Sequence, residues 1–102
     1  MSLSADLLSE ACTLNGTHTP ISDLAHKYNF TILETKASEQ ANGYYECFRA
    51  EKIDGSQRIV LSITTRDNDR SFDNETHDPY LNKIEIFEND NLINEYSYFY
   101  NA

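Results

Sequence analysis

No tryptophan occurs in this 102-residue chain, which has only three glycines, two cysteines, and eight lysines and arginines against seventeen aspartates and glutamates. Each scarcity excludes something. The cations are too few for the acids, leaving a net charge of −9 that is spread along the chain instead of forming a tail. Phosphate contacts need cationic side chains that release counterions, so direct nucleic-acid binding and attachment to an anionic membrane are both disfavoured. Three glycines provide no phosphate-cradling loop, and no Gly-x-Ser-x-Gly is present. Cys12 and Cys47 are too few and too far apart for a disulfide framework and sit in no ligand spacing, so they read as buried free thiols. No apolar run reaches membrane-spanning length. Residues 1–14 lack the cationic segment, apolar run and small-residue cleavage site of a signal peptide, which makes cytoplasmic residence the default expectation.

What is present suits one modest core. A chain of this length hides roughly 65% of the surface its unfolded form exposes, and a single domain over residues 1–102 follows. Leu3, Leu7, Leu8, Ala11 and Leu14 recur at helical spacing, with Ser2 or Ser4 as cap and Asn15-Gly16 as stop, predicting a helix over 3–14. Thr19 as cap, Pro20 at the first helical position and the stripe Ile21, Leu24, Ala25, Tyr28 predict a second helix ending near Asn29. Thr19 to Phe30 also reads like the entry helix of winged-helix domains. No basic recognition helix follows it, however, and two helices packed on a sheet is the favoured reading.

From Phe30 the period becomes alternating. Five strands are expected, over 30–36, 44–51, 58–65, 81–88 and 92–100. An Asp54-Gly55 type I′ turn would place Phe48 opposite Leu61 and Ala50 opposite Ile59 on the core side. Glu46 then falls opposite Ile63 on that side, a misfit assigned to a sheet end in preference to a bulge or a functional carboxylate. A second hairpin turning at Asn89-Asp90 groups Ile84, Ile86, Ile93 and Phe99 as core. It leaves Phe87, Leu92, Tyr96, Tyr98 and Tyr100 as an outward aromatic stripe, suited to an interface by its apolar rings and polar tips. The edge formed by Tyr96 to Tyr100 can also pair with a partner strand or with a second copy, giving a homodimer.

The segment from Arg66 to Asp78 carries five carboxylates, Asp67, Asp69, Asp73, Glu75 and Asp78. Asp67, Asp69, Ser71, Asp73, Glu75 and Asp78 fall at the first, third, fifth, seventh, ninth and twelfth places of a calcium-binding EF-hand loop. Phe72 stands where that loop needs Gly, though, and Asp78 where it needs the longer Glu, so a solvated acidic loop is favoured over a metal site. Cys12, His18, His26 and His77 lie in different elements and assemble no catalytic constellation along the sequence.

Ala25-His26-Lys27-Tyr28-Asn29 followed by a strand, then Gln40-Ala41-Asn42-Gly43 and Tyr44-Tyr45, resembles the helix end and first-hairpin loop of cystatin-type cysteine-protease inhibitors. In that family a helix lies across an antiparallel sheet and a Gln-x-Val-x-Gly hairpin enters the protease cleft. Here the motif is one residue shorter and has no Val. The resemblance implies inhibition carried by residues 40–43.

These observations converge on an α+β fold in which two short N-terminal helices pack on one face of a mostly antiparallel five-stranded sheet. The expected function is non-enzymatic protein binding, as an inhibitor, immunity or antagonist protein. Asp67, Asp69, Asp73, Glu75 and Asp78 would meet a partner's basic surface and Tyr96, Tyr98 and Tyr100 would supply apolar contact, with no cofactor and no metal. The alternatives are a cystatin-like inhibitor and a calcium-binding module or small enzyme.

Overall fold

A computed structural model describes residues 2–35, 44–65 and 80–100 together with the backbone of 38–39. Two helices precede the strands: α1 (Leu3–Leu14) and α2 (Ile21–Lys27). They are followed by β1 (Thr31–Glu34), the two-residue β2 (Ser38–Glu39), β3 (Tyr45–Asp54), β4 (Gln57–Thr65), β5 (Tyr80–Glu88) and β6 (Asn91–Tyr100). The sheet is an antiparallel meander in the order β1-β3-β4-β5-β6, with β2 pairing the end of β3. This is the expected α+β architecture with its helices at the N-terminus and strands beginning directly after α2.

Local chemistry explains the helix ends. Ser2 caps α1 by accepting from the Ala5 N–H, and Gly16 leaves it with φ +81, a conformation that costs Gly little. At the end of α2, Asn29 has φ 60, the Asn29 N–H donates to the His26 carbonyl, and the Phe30 N–H donates to the Ala25 carbonyl at 2.8 Å. That pair of bonds is a Schellman motif, with buried Phe30 and Ala25 supplying its apolar contact. The start of α2 departs from expectation: Thr19 does not cap it. Pro20 holds the cap position without a side-chain bond, and the Ile21 N–H donates 2.7 Å to Oδ1 of Asn82, a buried residue of β5.

Both helices lie on one face of the sheet. Leu7 and Ala11 of α1 and Ile21, Leu24 and Ala25 of α2 join Phe48, Ala50, Ile59, Leu61, Ile63, Ile84 and Ile86 in one core. Each fully buried aliphatic side chain there contributes on the order of 1.5–3 kcal/mol.

Two bulges correct the expected registers. In the first hairpin Asp54 pairs with Gln57, so Gly55 and Ser56 are central, and only Gly55 has positive φ, the type II′ pattern and not I′. Phe48 therefore faces Ile63, and Cys47 is an extra residue between that pair and Glu46–Thr64. The insertion turns Glu46 to the outer face, where it bonds Arg49 at 2.8 Å. A bulge, not a sheet end, resolves the Glu46 misfit.

The second hairpin turns at Asn89 and Asp90 as expected, both with positive φ. Phe87 pairs with Leu92, but Ile86 pairs with Asn94, leaving Ile93 as the extra residue. Because side chains alternate with period two, this single insertion reverses every later position of β6. Ile93 and Phe99, expected in the core, are 50% and 49% exposed, whereas Tyr98 and Tyr100, expected outside, are buried.

Candidate functional site

The five acidic-loop residues Asp67, Asp69, Asp73, Glu75 and Asp78 lie outside the described residues, as does the Gln40–Gly43 segment. The aromatic half of the expected site is not a surface. Tyr98 sits under the helices and donates its hydroxyl to the Thr19 carbonyl at 3.2 Å. Tyr100 stacks on Tyr80 with ring centroids 5.1 Å apart. Burial holds both phenols well above the usual tyrosine pKa. Tyr96 is half-buried against the core, and its contact with the Cys12 thiol, with burial second, raises its pKa.

Nor is the β6 edge an open row of backbone groups. Phe99 donates its N–H to Asn15 Oδ1 at 3.2 Å and accepts at its carbonyl from the Gly16 N–H at 2.9 Å, while the Glu95 N–H bonds Asn94 Oδ1. The turn after α1 thus occupies part of the strand edge that a partner strand or a second copy could pair with.

The thiols are unequal. Cys12 is exposed, whereas Cys47 is buried, donates to the Ile63 carbonyl at 3.4 Å, and has its pKa pushed up to about 11 by burial. A thiol held there is protonated near neutral pH and is a poor nucleophile. Among the described residues no group of three or more His, Cys, Asp or Glu side chains is placed to hold a metal ion.

The surface left open is the helix-free face of the sheet, and the registers arrange it in rows across the strands. Nearest the hairpin turns, Ile53, Arg58, Phe87 and Leu92 stand side by side. Ile53 is 62% and Leu92 48% exposed, and the Arg58 guanidinium lies 4.4 Å from the Phe87 ring centroid. The next row is Glu51, Val60, Glu85 and Glu95, and the one beyond is Arg49, Ser62, Lys83 and Ser97. Arg58 reaches Glu51 at 3.7 Å. Val60 and Ser62 are buried with no helix above them, shielded by the stems of these longer neighbours. An open depression of about 190 Å³ lies at the hairpin end, between Ile53, Arg58, Phe87 and the two turns. The Ser56 hydroxyl and Glu88 join those turns at 2.9 Å.

Phe87 and Leu92 were legible as outward residues because they precede the bulge. The opposition of Glu85 and Glu95 was not legible, because the Asn89-Asp90 turn alone would set Glu85 opposite Asn94 and only the Ile93 bulge brings it opposite Glu95.

Comparison of the chain with protein-family models, with curated proteins and with solved structures finds no match. No helix among the described residues is long and apolar enough to cross a membrane.

Proposed function

We propose that this chain is a non-enzymatic, acidic protein-binding domain that engages a basic surface of a partner protein, in the manner of an inhibitor, immunity or antagonist protein. The observation that supports it is the fate of the cations. Lys27 pairs with Glu10 at 2.9 Å, Arg49 with Glu46 at 2.8 Å and Arg58 with Glu51 at 3.7 Å, while the Lys52 ammonium donates to the Tyr28 carbonyl at 2.6 Å. Half of the eight cations are thereby held by groups outside the acidic loop, in a chain whose net charge is −9. Such a field speeds encounter with a cationic partner and repels nucleic acid. Two free thiols fit a reducing compartment such as the cytoplasm.

The test is to isolate a partner by affinity capture from the source cells and follow its association by stopped flow. Raising salt from 50 to 300 mM should slow association on the order of tenfold or more, since exposed charges are screened over about 8–10 Å. Replacing Asp67, Asp69, Asp73, Glu75 and Asp78 by Asn and Ser should slow it comparably while leaving thermal unfolding unchanged. A complex indifferent to both changes overturns the reading.

A further inference from the structure

We propose that the helix-free sheet face is a docking surface for a cationic amphipathic helix of a partner protein, lying across the strands over Ile53, Phe87 and Leu92. This deepens the reading of the chain as an acidic protein-binding domain and rests on it.

Two features of the face specify the occupant. The first is the cross-strand row Ile53–Arg58–Phe87–Leu92, whose members are adjacent by register. Four strands at a spacing of about 4.8 Å make this row about 14 Å long, close to the length of nine or ten helical residues. Ile53 and Leu92 stand exposed at its two ends. Arg58 does not break the row, because its guanidinium lies over Phe87 and reaches Glu51, so it presents a flat plane with its charge already engaged.

The second feature is charge along one flank. Along one side of the row, on the same face, stand Glu51, Glu85 and Glu95. Glu85 and Glu95 are directly opposed across β5 and β6, an arrangement that like charges disfavour. Neither forms an ion pair with a described residue. Lys83 lies one row away, and Arg49, near enough to Glu85 to feel its charge, is bonded to Glu46. A helix with a leucine stripe bordered by lysines complements both features: its stripe covers the apolar row, and its lysines reach the opposed glutamates beside it.

The probe is a synthetic 14-residue helix-forming peptide with a leucine stripe flanked by lysines, titrated into the ¹⁵N-labelled full chain, with an oligolysine of equal charge as control. Saturable shifts should centre on the amides of Ile53, Glu85, Phe87, Leu92 and Glu95. The oligolysine should bind at least tenfold more weakly. Two variants, E85Q/E95Q and I53S/L92S, should each weaken peptide binding at least tenfold. The first removes a like-charge pair and should raise Tm, and the second alters only exposed side chains, so lost binding is separable from lost folding. Absence of binding by the unaltered chain, shifts centred elsewhere, or unchanged affinity in both variants overturns the proposal. The acidic-loop variant, titrated in parallel, separates the two readings. Binding lost there but kept in both sheet-face variants removes this docking surface and leaves the acidic-binding reading standing. Binding lost only in the sheet-face variants supports the surface.

Discussion

Asn82 does at one position what two elements require. Its Oδ1 accepts the Ile21 N–H, one of the donors that the start of α2 leaves without an intrahelical partner, and its Nδ2 donates to the Tyr80 carbonyl at 3.2 Å. Both bonds lie in a site with no exposure. Replacing Asn82 by Ala strands a buried N–H, and the expected cost is about 1–3 kcal/mol. It should appear as a lower urea midpoint with an unchanged slope, and a loss under 0.5 kcal/mol contradicts the assignment. The same logic separates the two cysteines: Cys47 fills the bulge against Ile63 and is insulated, while Cys12 meets solvent and Tyr96.

Among the elements, β6 shows how one residue decides which face of a strand is core. Up to Leu92 the strand follows the register set by the Asn89-Asp90 turn; beyond Ile93 it follows the opposite one. The bulge thereby brings Tyr96, Tyr98 and Tyr100 to the helix-covered face beside Tyr80, Asn82 and Ile84. Deleting Ile93 removes the insertion and returns Tyr98 and Tyr100 to the outer face. At about 1.5–3 kcal/mol for each large side chain lost from the core, that exceeds much of a small domain's margin. The deletion variant should lack a cooperative thermal transition by circular dichroism, whereas a variant as stable as the parent shows that the bulge does not place the tyrosines.

For the whole molecule, the buried phenols couple stability to pH. Tyr98 and Tyr100 stay neutral in the folded chain above the pH at which an unfolded phenol ionises, because burial penalises the tyrosinate. The stability this contributes is complete below about pH 10 and is lost as pH rises beyond it, by up to about 1.4 kcal/mol per group per pH unit. Tm should therefore fall steeply above pH 10. In a Tyr98→Phe variant the fall should be shallower, and an unchanged profile contradicts the role given to burial. Much of this molecule is decided by local chemistry and is readable along the chain. Leu3–Leu14 declares its helix by spacing and caps, Asn89-Asp90 declares a turn by its tolerance of positive φ, and the alternation from Phe30 onward declares strands. The excess of acids over cations is equally a property of composition alone. Only the assembled sheet decided where the bulges fall, that Asn82 rather than Thr19 serves α2, and that the outer face carries opposed glutamates beside an apolar row. A bulge leaves alternation intact on either side and merely changes its phase, so nothing within β6 itself announces it. The phase is chosen by the burial of Tyr98 and Tyr100 beneath helices that lie some eighty residues away in sequence.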